Sequence, residues 1–239
     1  MAKADHLYSD LIASLPNVEF AVDHSRIYDD FVRSLMFCDD EIMVEHPQDY
    51  SGQEAIKLVC SQHQMYESVF ENLSADDPKE YKRMQRRYTA EWVRFLQTET
   101  LPVKEVHVCS NVNHNIFDGL CRQNTIESMR IKRLTCKHID EISNLHSLKK
   151  LFIECGSSIT DVSPLAGLTG LEVLILGQTK NVHDYSALAA LKSLKVLGIC
   201  SYQTALNTTI KVDDLGFLKE LPSLEYVDII DVRLSVREE

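Results

Sequence analysis

Residues 160–176 read TDVSPLAGLTGLEVLIL. Two apolar spacings follow one another within this stretch. Val162, Leu165 and Leu168 recur every third residue, which suits a 3₁₀ or short helical turn. Leu171, Leu174 and Leu176 then follow the pattern L-x-x-L-x-L, which predicts an extended strand with those three side chains turned into a core. Val173 and Ile175 point to the opposite face of that strand, because successive side chains alternate.

The pattern is not local. Allowing Val, Ile and Met for Leu, it starts at Val103, Ile126, Leu148, Leu171, Leu194 and Leu224, at intervals of 23, 22, 23, 23 and 30 residues. The three-residue spacing recurs downstream as Ile139-Ile142-Leu145, Tyr185-Leu188-Leu191 and Leu215-Leu218-Leu221. A polar insertion at Gln203–Thr209 accounts for the long last interval. Self-similarity at this period predicts a solenoid of stacked coils.

The phrasing resembles the leucine-rich repeat superfamily, above all the repeats of bacterial internalin-type proteins, over about Val103 to Ile230. The resemblance implies an α/β fold, a leucine-rich repeat solenoid with a curved parallel β-sheet. It implies a working surface on the concave side of that sheet. The chain departs from the family at the position where an Asn column usually caps the backbone: Asn111 is followed there by Leu134, Gly156, Thr179 and Tyr202.

Residues 1–101 lack the repeat and read as an all-α region, giving a division into 1–101 and 102–239. Asp5 is placed to cap a helix to about Leu15, before Pro16. Ile27, Phe31 and Leu35 share a face. Ser51 and Glu54 form a capping box ahead of Ile56, Val59, His63, Tyr66, Phe70 and Leu73, spaced by threes and fours. Asp77-Pro78 opens a helix to about Gln97, with Tyr81, Met84, Tyr88, Trp92 and Phe95 inward. Lys79, Lys82, Arg83, Arg86, Arg87 and Arg94 lie on its other side, a solvated face or a dock for an acidic partner. The region is expected to cap the exposed end of the solenoid or to form a small domain, since about 100 residues exceed what a cap needs.

The strand columns of the concave face follow from the repeat. The third motif position runs Glu105, Ser128, Lys150, Val173, Val196, Tyr226, and the fifth runs His107, Arg130, Phe152, Ile175, Gly198, Asp228. The seventh runs Cys109, Lys132, Glu154, Gly177, Cys200, Ile230. Arg130, Lys132 and Lys150 form a basic spot, and Phe152, Val173, Ile175, Val196 and Tyr226 an apolar patch with Gly177 and Gly198 as a shallow floor beside it. Tyr226 and Asp228 close its edge. A bare patch of a few hundred Å² calls for a cover. Three covers satisfy it: a protein or peptide partner, the chain's own N-terminal helices or 203–209 loop, or a second copy of the chain.

The function expected is noncovalent recognition of a protein or peptide through this face, with self-association as the alternative and no enzymatic activity. No G-x-S-x-G, H-E-x-x-H or glycine-rich phosphate loop occurs, and no cofactor is implied. His107, Cys109 and His114 lack the ligand spacing of a zinc site. Chemistry in residues 1–101 would need convergent titratable groups in a pocket. The net charge of −11, of which residues 1–101 carry −9, disfavours general nucleic-acid binding. No apolar run nears the roughly 20 residues of a membrane span. Seven scattered cysteines and the absence of a secretory signal suggest the reducing cytoplasm, here of a bacterium.

Overall fold

A computed structural model describes residues 4–21, 41–61, 78–200 and 209–235. The six repeat strands form as the spacing predicts: β4 (Glu105–Val112), β5 (Ser128–Leu134), β6 (Lys150–Ile153), β7 (Val173–Gly177), β8 (Val196–Cys200) and β10 (Tyr226–Asp228). They pair in parallel and in register, so Ser128, Lys150, Val173, Val196 and Tyr226 stand side by side, as do Arg130, Phe152, Ile175, Gly198 and Asp228. Four 3₁₀ turns, Asp140–Asn144, Ser163–Gly167, Ser186–Ala190 and Gly216–Glu220, return the chain behind the sheet. In the first repeat an α-helix, α3 (His114–Cys121), takes that place. The L-x-x-L-x-L side chains fill one continuous core. The coil of strand and 3₁₀ turn makes this a leucine-rich-repeat-type fold.

Each 3₁₀ turn from the third repeat onward is fastened by an aspartate two residues ahead of an N–H. Asp161 accepts from Ser163 N at 2.8 Å, Asp184 from Ser186 N at 2.8 Å and Asp214 from Gly216 N at 2.9 Å. These side chains supply the acceptor that a tight turn leaves its own backbone without.

The all-α reading of the N-terminal region is corrected. Two helices stand where expected, α1 (Ala4–Ser14) and α2 (Pro78–Thr98), but three strands join the sheet: β1 (Glu19–Ala21), β2 (Ile42–Val44) and β3 (Ala55–Leu58). The Ser51–Glu54 capping box opens no helix. Ile56 and Leu58 instead alternate inward, paired with Val106 and Val108 of β4. The Ile27–Leu35 face, the His63–Leu73 part of the stripe, Asp77 and residues 203–208 of the insertion lie outside the described residues. Beyond them, β9 (Ile210–Val212) pairs with β11 (Val232–Leu234).

The strand order is β1-β10-β8-β7-β6-β5-β4-β3-β2. The N-terminal strand therefore lies at the edge of the last repeat, while the next strand in sequence lies at the opposite edge. Glu19 N donates to Glu225 O at 2.8 Å and Ile229 N to Ala21 O at 3.0 Å. The buried Tyr8 hydroxyl of α1 donates to Val232 O at 2.7 Å. Both open ends of the solenoid are thus continued by strands from residues 1–101.

Candidate functional site

The concave patch is not open. Val173 and Ile175 are 5% and 1% exposed, and with Phe152, Val196, Tyr226, Cys200, Ile230 and Ala21 they make a second apolar core on the inner side of the sheet. This burial arises within the single chain, where apolar area leaves water without the loss of translational freedom that association costs. The expected floor is missing too: a Cβ on Gly198 would meet Ile175 Cδ1 at 2.8 Å, and one on Gly177 would press into the Glu154 carbonyl. Both glycines permit close packing and leave no hollow.

The polar members are engaged as well. Arg130 Nε donates to Glu154 Oε1 at 2.7 Å with its side chain 12% exposed, so its charge is matched inside the chain. Lys132 and Lys150 are half-buried. Asp228 is buried and accepts from Ile230 N at 3.1 Å. Of the nine side chains expected to meet a partner, Phe152, Val173, Ile175, Val196, Tyr226 and Asp228 are buried and Arg130, Lys132 and Lys150 are half-buried.

His107 and Cys109 are also buried rather than exposed. His107 Nδ1 lies 3.0 Å from Glu41 Oε2, and its Nε2 lies 3.5 Å from Cys109 Sγ. Carboxylate, imidazole and thiol in that order resemble a nucleophile relay. Cys109 is only 2% exposed, so the thiol is closed off from solvent. Burial pushes the thiols of Cys60 and Cys121 up, and that of Cys136 up to about 12, which keeps them neutral packing groups. Among the described residues no three His, Cys, Asp or Glu side chains converge as a metal site, and no helix is long and apolar enough to cross a membrane.

An accessible site lies elsewhere, between α2 and the C-terminal ends of β3 to β5. It is a groove of about 740 Å³. Helix α2 is positioned by its buried face: the Tyr88 hydroxyl donates to Glu45 O and Val59 O, Trp92 Nε1 donates to Glu45 O at 3.3 Å, and Leu96 packs against α3 beside Gly119. A Cβ at Gly119 would stand 2.7 Å from Leu96 Cβ, so glycine sets the close approach of the two helices. The buried Gln123 carboxamide then staples the assembly, donating to Leu96 O at 2.7 Å and accepting from Leu101 N at 2.8 Å. The expected inner stripe is thus shifted: Tyr88, Trp92 and Leu96 are buried, whereas Met84 is exposed.

With that face inward, Gln85, Arg86, Thr89 and Arg94 form one wall of the groove, and Asn111, Asn113 and Asn115 face them. Asn111 reaches the surface because the β4–β5 register shifts between Val108 and Asn111. Such an irregularity re-aims a side chain, here outward from the slot that the repeat assigns to the backbone-capping Asn. Asn113 caps α3 by accepting from Ile116 N at 3.0 Å. Gln85 Nε2 is buried without a hydrogen-bond partner. Of the basic helix face, Arg83 pairs with Glu80 and Arg87 with Glu91, whereas Arg86 and Arg94 line the groove. Among the described residues no carboxylate lines it. The alternating asparagines of SNVNHN (110–115) are the one signal of this wall in the sequence.

No protein-family model matches the chain, and no curated protein matches it. Solved structures similar to it include two internalins of Listeria monocytogenes and a plant receptor. Internalin inlF is 17% identical with a TM-score of 0.41, covering 71% of this chain and 55% of its own. Internalin C2 (inlC2) is 25% identical with a TM-score of 0.37, covering 62% and 69%. The plant peptide hormone receptor RGFR1, in complex with RGF2, is 13% identical with a TM-score of 0.38, covering 81% and 31%. This chain spans about half the length of the inlF structure.

Proposed function

We propose that the chain is a noncovalent protein-binding scaffold whose working surface is the groove between α2 and the ends of β3 to β5. The observation that carries this reading is the composition of the groove. In a chain with 36 Asp and Glu against 25 Lys and Arg, its lining holds two arginines and, among the described residues, no carboxylate. Both walls are fixed by buried contacts, Trp92 and Gln123 among them, so a ligand meets a surface that is already ordered. Preordered groups lose little freedom on binding.

A photo-crosslinking residue placed at Thr89 tests this in the cells that make the protein. The expected result is one discrete heterologous protein adduct from position 89, lost with Arg94→Glu and absent when the crosslinker stands at the exposed Lys219. No adduct at 89, or one only at twice the mass of the chain, would overturn the reading, the latter in favour of self-association.

A further inference from the structure

We infer that the groove takes an extended peptide segment bearing two carboxylates four residues apart, an inference that rests on the groove being the binding surface. Arg86 and Arg94 are eight residues apart on α2, which places their backbones about 12 Å from one another along the helix axis. An extended chain advances about 3.3 Å per residue, so four residues cover about 13 Å and return to the same face of the strand. Two acidic side chains at that spacing meet the two guanidinium groups together.

The charges are available for this. Arg86 and Arg94 are exposed and make no ion pair among the described residues, whereas Arg83 and Arg87 spend theirs on Glu80 and Glu91. A guanidinium presents parallel N–H donors that a carboxylate accepts in a fork. Between the arginines the groove offers carboxamides. The exposed side chains of Asn111 and Asn115 have no hydrogen-bond partner among the described residues. A carboxamide carries both donor and acceptor, the pair that a peptide backbone presents between its side chains. The lining from Gln85 to Thr98 runs about 20 Å along α2, room for about six extended residues.

The net charge of the chain opposes an acidic ligand only at long range, since charges beyond about 8 Å are screened at physiological salt. Single-stranded RNA fits less well. Among the described residues no aromatic side chain lines the groove to stack a base, and base stacking is a main source of such binding.

Fluorescence anisotropy tests the inference with three labelled threonine-rich heptapeptides. One carries two glutamates four positions apart, one carries two adjacent glutamates, and one carries glutamines instead. The spaced peptide is expected to bind at least about fivefold tighter than either control, the scale of one exposed ion pair. Arg86→Gln and Arg94→Gln are each expected to erase that advantage, with Arg83→Gln leaving it intact. Arg86→Lys and Arg94→Lys, which keep charge without the fork, are expected to fall between. Equal binding of the spaced and adjacent peptides, or an advantage that survives both Arg→Gln changes, overturns the inference. So does an oligouridine that binds with the same arginine dependence while the peptides do not. If the peptides fail and the Thr89 adduct still forms, only the acidic-peptide assignment falls; if both fail, the scaffold reading falls with it.

Discussion

Asp161 shows how much of this fold is written in single side chains. It accepts from both the N–H and the hydroxyl of Ser163, at 2.8 and 2.7 Å, and Asp184 repeats the contact with Ser186 one coil later. These hydrogen bonds hold both carboxyls below the usual carboxylate range. A carboxyl whose folded value is depressed binds its proton more readily in the unfolded chain. Its contribution is therefore complete above the unfolded value, about 3.9, and is lost as pH falls through the folded value. Asp161→Asn combined with Asp184→Asn should lower the urea midpoint at pH 6, and the gap to the parent should narrow progressively as pH falls below the unfolded value of about 3.9. Urea titrations at successive pH values check this. A gap independent of pH would mean that the carboxylates act through packing and not through charge.

At the scale of the element, the repeat was legible because its signal is local and periodic. Every L-x-x-L-x-L phrase became a strand, and the third- and fifth-position columns drawn from the spacing are those of the observed register, whereas the seventh-position column is broken at β4 by the shift after Val108. The flanking strands were not legible for a physical reason. β1 has three residues and a partner more than 200 positions away, and Ala55–Leu58 follows a capping box that local reading assigns to a helix. The groove was half legible: the arginines of α2 were visible as a face, but the shift that turns Asn111 outward depends on pairing with β5. One device escaped the sequence reading altogether. The second motif position alternates in sign across the sheet, with Glu54, Lys104, Glu127, Lys149, Glu172, Lys195 and Glu225 in successive coils. Lys104 pairs with Glu54 at 2.9 Å, Lys149 with Glu127 at 3.0 Å and Lys195 with Glu172 at 2.7 Å. Single exposed pairs contribute little, but stacking with one coil skipped would set like charges together. Lys149→Glu places three carboxylates in a row at 127, 149 and 172. The thermal midpoint should drop at low ionic strength and recover most of that loss in 0.5 M salt, roughly, since screening then reaches contact distances. A loss insensitive to salt would assign Lys149 a packing role.

Across the whole molecule, the sheet order ties the chain's beginning to its last repeat. β1 and β2 are consecutive strands in sequence, yet eight strand spacings separate them in the sheet, about 38 Å. A solenoid held only by nearest neighbours frays from its ends, because a terminal coil has contacts on one side. Here β1 and the Tyr8 hydroxyl occupy the C-terminal edge, while β2, β3 and α2 occupy the other. Trp92, the single tryptophan, is buried in α2 at that second end and reports on it by fluorescence. Far-UV circular dichroism reports on the entire sheet. If the two ends are coupled through the repeats, both signals should share one transition in the intact chain. Removing residues 1–21 strips the β1 partner from β10, which keeps β8 on its other side, and exposes its edge, an invitation to pair with another copy. That truncation should shift the Trp92 midpoint downward in step with the dichroism, although the deleted strand lies at the far side of the sheet, and light scattering should show association. A Trp92 transition unmoved by the truncation would mean that the N-terminal strand steadies only the coil it touches.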